Sequence, residues 1–238
     1  MTDWHPEQFD FNEADFCGKA RLFPLPDFVL FPHVMHPLHI FEPRYRDMVR
    51  DALATDRLIA TARLEPGWET EYENRPAVAP IACLGKIVSE HRLDDGRFNI
   101  LLLGLRRIEL ARELETPSPF RVAQVNVLHD RVSKTDRERR RCLRKELLTS
   151  FQGALPLGEG AKSTISSLLQ KHVPLGILVD LIAFTADLNA EFKQALLAET
   201  NVVARAEALL EGLSRSRRAS PRAWPQALGE FPPSFSAN

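Results

Sequence analysis

The chain has 238 residues, of which 44% are hydrophobic and 26% are charged, a composition typical of folded globular proteins that excludes collagen-like and low-complexity classes. The length suffices for one large domain or two ordinary ones, and it is too short for a multidomain ATP-driven machine. The chain has 31 Lys and Arg residues against 32 Asp and Glu residues, a formal net charge of -1. Binding to nucleic acid or anionic lipid would therefore require a local basic patch on the protein.

The first half of the chain has the pattern of a β-domain. Residues 1–19 are acidic with interspersed aromatic residues and no regular period, which is typical of an arm. Between residues 20 and 130, β-type runs alternate with turn signals, and these runs are RLFPLP, HPLHIF, RLIATARL, IACLGKIVSEHRL, RFNILLLGLRRIELAREL and FRVAQVNVL. Apolar residues in Pro43–Leu53 recur at i, i+3, i+4 and i+7 and predict one helix within this half. Several short, bent strands indicate a compact barrel or pseudo-barrel.

One hairpin is predicted with particular clarity. Ile81–Leu93 and Phe98–Leu110 flank Asp94-Asp95-Gly96, and the Asp-Gly pair supplies the positive φ that a tight hairpin turn requires. Gly85 and Gly104 lie inside these two strands, where glycine predicts a bulge or a tight bend.

The second half has a helical pattern, and we predict a helical bundle over residues 134–214. Pro174 opens the nearly all-apolar segment LGILVDLIAF, which predicts a buried central helix. Residues 215–238 combine four arginines with several prolines and serines, so we predict a disordered tail.

Two asparagines mark the starts of the last helices. Asn189 and Asn201 each precede a helical pattern and are predicted N-caps. In the helix after Asn201, apolar residues form one stripe, and Arg205 is predicted to lie away from it.

The three cysteines indicate the compartment. Cys17, Cys83 and Cys142 lie far apart without a CxxC pair, so we predict free thiols, no disulfide framework and no zinc site. The N-terminus has no apolar secretory signal, and the longest apolar run, Leu175 to Phe184, is too short to span a bilayer. We therefore expect a cytoplasmic protein without a membrane partner.

The segment GALPLGEGAKST resembles a phosphate-binding loop only superficially. The P-loop pattern requires lysine directly after its second glycine, whereas Gly158 is followed by Glu159 and Lys162 follows Ala161. No GxSxG or HExxH motif is present either. The sequence therefore predicts no catalytic residue and no cofactor, and we expect a protein that is not an enzyme.

Three histidines form the densest group of possible metal ligands. His33, His36 and His39 are spaced by three, but Pro37 prevents a helix, and residues i and i+3 point to opposite faces of a strand. We therefore predict loop and packed histidines and no metal.

The segment DRERRRCLRKE, residues 136–146, holds six basic and three acidic residues. Mixed charges at helical spacing favour a solvated helix face with intrahelical ion pairs. An RNA-binding patch carried by Arg139, Arg140 and Arg141 is the alternative, although aromatic stacking partners are lacking nearby.

Two motifs carry a family resemblance. The segment LFPLPDFVLFP, which starts at Leu22, is followed by HPLHIFEPRYR, which starts at His36, and together they resemble the opening motif of the Lon substrate-binding (N-terminal) domain family. One departure is His33, because the family motif usually has glycine after Phe-Pro. The resemblance extends over about residues 20–213, through the segments Gly85-Lys-Ile-Val, Asp95-Gly96, LGLRRI at Leu103, DLIA at Asp180 and KQALL at Lys193.

The resemblance implies an α+β fold in which a PUA-like β-pseudo-barrel is followed by a C-terminal helical bundle. In full-length Lon proteases this region helps to recognise unfolded or tagged polypeptides, and ATPase and Ser-Lys protease domains follow it. Neither of those is found in this sequence. We therefore expect a free-standing, non-enzymatic polypeptide-binding module, a candidate adaptor in protein quality control or proteolysis with a Lon protease as candidate partner. PUA-like barrels often bind RNA, which keeps RNA as the alternative ligand.

A polypeptide-binding surface needs exposed apolar groups with adaptable polar groups nearby. The candidate is the proline-rich strand and loop around Phe28, Phe31, Met35 and Phe41. We expect the loop from Phe31 to His36 to be exposed, and the alternative is that the apolar residues belong to the barrel core. The predicted contact residues are Phe28, Phe31, His33, Met35 and His36.

Overall fold

A computed structural model describes residues 11–70, 75–154 and 173–219. These residues fall into two compact units, one ending at Leu128 and the other beginning at His129. Some sequence predictions lie wholly or partly outside the described residues. They concern residues 1–10 of the arm, GALPLGEGAKST from Leu155 onward, residues 155–172 of the predicted helical bundle, and the tail after Ala219.

All six predicted β-type runs of the first unit form strands. They are β1 (Lys19–Leu25), β2 (Met35–Ile40), β3 (Leu58–Arg63), β4 (Ile81–Arg92), β5 (Phe98–Leu114) and β6 (Arg121–Leu128). β1 and β3 pair in parallel and the other pairs are antiparallel, so the sheet is mixed. The pairings run from β5 through β4, β3, β1 and β6 and return to β5. Five strands therefore form a closed ring.

β2 stands outside this ring. The 17-residue strand β5 pairs with β4 along one edge, and its other edge pairs first with β2, at Phe98–Leu103, and then with β6, at Arg107–Leu114. Among the residues that the structure describes, no strand pairs with the second edge of β2. Pro37 lies in β2, which fits this arrangement, because proline lacks a backbone donor and is tolerated at sheet edges.

Small side chains fill much of the core of the closed ring. Its buried cluster comprises Ala20, Leu22, Leu58, Ala60, Ala62, Ala82, Leu84, Leu105, Ile108, Ala123 and Val125. Phe11 and Phe16 pack against this cluster with ring centroids 5.5 Å apart. The described part of the predicted arm therefore contributes to the packing of the first unit.

The predicted hairpin is confirmed. The turn closes through hydrogen bonds from the Leu93 N–H to the Arg97 carbonyl and from the Gly96 N–H to the Leu93 carbonyl, both 2.9 Å, and Gly96 has φ of 82°. The predicted bulge is present as well. The register shifts between Leu84 and Gly85, and Gly85 then pairs directly with Gly104.

The helix α1 (Pro43–Leu53) begins and ends as predicted. Its apolar stripe is buried and consists of Tyr45, Met48, Val49 and Ala52. The rest of the helix surface is polar, so the periodicity of the sequence was sufficient to place both its ends and its buried face.

The second unit contains the helices α2 (Arg137–Ala154), α3 (Leu175–Thr185), α4 (Ala190–Ala198) and α5 (Val202–Ala219). The two predicted caps are confirmed. Asn189 Oδ1 accepts from the Phe192 N–H at 2.8 Å, and Asn201 Oδ1 accepts from the Val203 N–H at 3.0 Å. α5 continues past Ser214, into the segment predicted as a tail. None of the helices in the described ranges is long and apolar enough to cross a membrane.

The prediction that Arg205 points away from the apolar stripe is wrong. Its side chain is fully buried and forms two parallel hydrogen bonds with Asp130, at 3.0 and 2.8 Å, and a third with the Glu199 carbonyl at 2.6 Å. Its Nε lies 3.3 Å from Oδ1 of Asp180, which is also buried, an ion-pair contact without good hydrogen-bond alignment. The two charges tolerate burial because they compensate each other.

Candidate functional site

The side chains of β2 alternate between the core and the surface. Leu38 and Ile40 are buried, whereas Met35 is 48% exposed. Phe41, directly after the strand, is 39% exposed, and its ring stacks on His39 with centroids 6.2 Å apart, so the two share a face. We call Met35, Pro37, His39 and Phe41 the β2 stripe. In the described ranges only one other large hydrophobic residue, Val132 of the second unit, is exposed.

Hydrogen bonds hold the His39 ring in the β2 stripe. Nδ1 lies 2.7 Å from Oδ1 of Asn99, its cross-strand partner on β5. With that oxygen as acceptor, Nδ1 carries the proton, and Nε2 accepts from the Arg97 guanidinium at 3.2 Å. His39 is therefore a fixed polar residue between two apolar exposed side chains.

An aromatic pair lies on the other face of β2. The rings of Phe28 and His36 are 4.7 Å apart with an interplanar angle of 34°, and both residues are half-buried. Burial lowers the pKa of His36 below its ordinary value of 6.5, because desolvation disfavours the imidazolium. At neutral pH this pair is therefore uncharged and adds apolar surface beside the strand.

The loop before β2 lies directly on the backbone of β5. The His33 N–H donates to the Gly104 carbonyl at 2.7 Å, and the Gly104 N–H donates to the Val34 carbonyl at 2.8 Å. A Cβ at position 104 would lie 2.1 Å from the Phe31 carbonyl oxygen. Gly104 is thus required for the close approach of two backbones.

His33 is exposed and has φ of 65°, in the left-handed region that favours glycine. Glycine would adopt this conformation without a steric cost. Histidine is among the residues that enter this region more readily than most others.

The structure separates the five predicted contact residues. The predicted exposure of Phe31 is wrong, because its side chain is fully buried. Met35 lies on one face of β2 and His36, with Phe28, on the other. His33 is exposed at the turn before the strand. Sequence reasoning missed the open edge of β2, although Pro37 within a β-type run indicated it.

The three histidines are not arranged as a metal site. His36 packs on Phe28, His39 bonds to Asn99, and His33 lies on the loop. Within residues 11–70, 75–154 and 173–219, no group of three or more His, Cys, Asp or Glu could hold a metal ion.

The basic segment of α2 borders an open cavity in the second unit. The cavity has a volume of about 1050 Å³ and is lined by four arginines, Arg137, Arg140, Arg141 and Arg144, together with Glu138 and apolar residues of α3. Two of these arginines donate to backbone carbonyls, Arg140 to Ser133 and Arg144 to Val173. Arg139 instead pairs with Glu207 of α5 at 2.7 Å.

Comparisons with known proteins agree on one family. The profile described as "ATP-dependent protease La (LON) substrate-binding domain" matches residues 19–215. Lon protease 2 of Myxococcus xanthus is 25% identical over 209 residues, which cover 87% of this chain and 24% of that protein. The Lon protease of Dictyoglomus thermophilum is 28% identical over 211 residues, covering 88% of this chain and 26% of that protein. The chain thus spans about a quarter of the length of these relatives.

Solved structures show the same fold. The Lon N-terminal domain protein from Xanthomonas campestris matches with a TM-score of 0.57 and 22% identity, covering 81% of this chain and 97% of that one. The N-terminal domain of Mycobacterium avium complex Lon protease matches with a TM-score of 0.65 and 17% identity, covering 82% and 98%. The expected α+β class, a mixed sheet with helices, is thereby confirmed.

Proposed function

Because this chain belongs to the family of Lon substrate-binding domains, we propose that it is a non-catalytic module that binds unfolded polypeptides. The binding surface is the β2 stripe together with the Phe28–His36 ring pair. The observation that carries the proposal is the exposure of Met35, at the start of β2, and of Phe41, directly after its end, on one face. Exposed apolar groups that cluster are typical of interaction sites.

The chemistry of the β2 stripe suits many different sequences. Methionine is flexible and polarizable and adapts to irregular apolar partners. Complete burial of a Met or Phe side chain is worth about 1.5–3 kcal/mol, so burying the exposed parts of Met35 and Phe41 contributes about 1 kcal/mol each. Contributions of this size favour weak, reversible binding, which a substrate-binding module needs in order to release what it binds.

The test uses a fluorescent, reduced and carboxymethylated casein as the unfolded probe. The double variant Met35→Ser/Phe41→Ser should bind it roughly thirty-fold more weakly, since about 2 kcal/mol of burial is lost. Val132→Ser is the matched control, because Val132 is an equally exposed apolar residue of the second unit. Equal binding by the double variant and the wild type would contradict the proposal, as would an equal loss in the control.

We also propose an adaptor role in protein quality control or proteolysis, with a Lon protease as the candidate partner that degrades bound polypeptides. The free thiols of Cys17 and Cys142 are exposed, which favours the reducing cytoplasm as the site of action. Adding the protein to a purified Lon protease should speed degradation of the casein probe. The Met35→Ser/Phe41→Ser variant should not have this effect.

The finer description of the fold belongs to this proposal. We interpret the closed ring of five strands as a PUA-like pseudo-barrel, since its pairings return to β5. We interpret α2–α5 as a helical bundle, because α2, α3 and α5 contact one another and α4 contacts α3 and α5.

RNA binding is the alternative function, and the four arginines around the cavity of the second unit favour it. Single-stranded RNA should then bind with an affinity that falls steeply with salt. Arg140→Glu/Arg141→Glu should abolish this binding, whereas Arg139→Gln should change it less, because Arg139 already pairs with Glu207. Absence of RNA binding at low salt would exclude this alternative.

A further inference from the structure

Among residues 11–70, 75–154 and 173–219, no strand pairs with the backbone hydrogen-bonding groups on the open edge of β2. The Val34 carbonyl accepts from the Gly104 N–H of β5, and backbone groups alternate between the two edges along a strand. The backbone groups of Met35, Pro37 and His39 therefore face away from β5. This edge presents two N–H donors, from Met35 and His39, and three carbonyl acceptors, because Pro37 has no N–H.

Apolar surface flanks this edge on both faces of the sheet. On one face lie Met35 and Phe41 of the β2 stripe, both substantially exposed. On the other lies the ring pair of Phe28 and His36. A strand laid along the edge would direct alternate side chains toward each of these surfaces.

We propose that a bound polypeptide adds to the open edge of β2 as an extended strand of about five residues. This inference rests on the proposed function and specifies how the polypeptide is held. The occupant is an unfolded segment with β-branched, aromatic or other apolar side chains on both faces. Main-chain hydrogen bonds are the same for every sequence, so this mode explains how a substrate-binding module accepts many segments while rejecting proline where an N–H must face β2.

Pro37 leaves one hydrogen bond of an added strand unmade in any register. It offers a carbonyl without a donor, so a partner carbonyl placed opposite its nitrogen would lose its hydrogen bond. A proline on an exposed edge also disfavours pairing between two copies of the same edge. The added strand pairs with the N–H and carbonyl groups of Met35 and His39, and at Pro37 it donates to the carbonyl while its own carbonyl finds no donor.

The first test varies the peptide and leaves the protein unchanged. The probe is a nine-residue fluorescent peptide of alternating valine and threonine with a lysine at each end, and a series carries one N-methyl group at successive positions. N-methylation should weaken binding at least tenfold at alternate positions, where the N–H faces β2, and have little effect at the positions between. Equal effects at neighbouring positions, or no effect at any, would overturn strand addition.

The second test follows amide hydrogen exchange in the protein. Peptide binding should slow exchange at Met35 and His39, whose N–H groups face the open edge. Exchange at Leu38 should stay unchanged, because its N–H already faces β5. Unchanged exchange at Met35 and His39 under saturating peptide would overturn the proposal. So would a stable dimer that the peptide does not dissociate, because a second copy would then occupy the edge.

The two proposals fail in different ways. If the casein probe binds and Met35→Ser/Phe41→Ser weakens it, but N-methylation has no alternating effect, the proposed function stands and strand addition is wrong. If the wild-type protein binds neither the casein nor the peptide, the proposed function itself is contradicted.

Discussion

Replacing Gly104 with alanine perturbs the contact that positions the loop before β2. The new Cβ would lie 2.1 Å from the Phe31 carbonyl oxygen, whereas ordinary contacts begin near 3.4 Å, so the backbone must move by more than 1 Å. That movement breaks the hydrogen bonds of Gly104 with His33 and Val34, worth about 1 kcal/mol each. It also exposes part of the Phe31 side chain, whose burial contributes about 1.5–3 kcal/mol. We expect the free energy of unfolding to fall by about 3–5 kcal/mol.

Gly85→Ala is the matched control, because Gly85 pairs directly with Gly104 across β4 and β5. Its Cβ would approach only the side chain of Leu102, at 2.9 Å, and overpacking of this kind costs about 1–3 kcal/mol. Urea unfolding of both variants measures the difference. If Gly104→Ala costs no more than Gly85→Ala, the reasoning about the loop is refuted.

Three further predictions concern single side chains. Arg205→Ala should lower the free energy of unfolding by about 3–5 kcal/mol, because the buried carboxylate of Asp180 and the carboxylate of Asp130 would lose their guanidinium partner; Arg205→Leu/Asp180→Leu should recover part of this in urea unfolding, and no recovery would argue against an electrostatic cause. His33→Gly should leave stability unchanged or raise it by up to about 1 kcal/mol, since relief of the left-handed φ outweighs the flexibility of glycine in the unfolded chain; a loss in thermal unfolding would contradict this. Burial lowers the pKa of His36 in the folded state, so the His36 ring takes up a proton more readily in the unfolded chain. The contribution of neutral His36 to the free energy of unfolding is therefore present above pH 6.5 and is lost as the pH falls through the lowered pKa. His36→Gln should flatten this acid dependence in unfolding curves, and an unchanged slope would show that other groups cause it.

Where signals were local, sequence reasoning was accurate. The six strands, the Asp-Gly hairpin, the helix at Pro43–Leu53 and the caps Asn189 and Asn201 all form as expected. Each depends on periodicity or on a residue whose backbone preference acts within a few positions. The motif after Leu22 likewise identified the family.

The same reasoning failed where the outcome depended on residues distant in the sequence. The sequence pattern placed Arg205 on the helix surface, because it does not show that Asp180 and Asp130 lie beside it in the folded chain. Phe31 was expected to be exposed, whereas its side chain is fully buried in the folded chain.

The sequence by itself determined the elements, their order and the family of this protein, because hydrophobic period, turn residues and caps act over short distances. Only the tertiary structure decided that β6 closes the ring between β1 and β5 and that β2 is left with an open edge. Strand pairing joins backbone groups that are alike in every residue, so the side-chain pattern of one strand does not specify its neighbours. The proposed binding of polypeptides depends on the open edge of β2 and on the apolar surfaces beside it. Both are produced by the pairing of the strands in the folded protein.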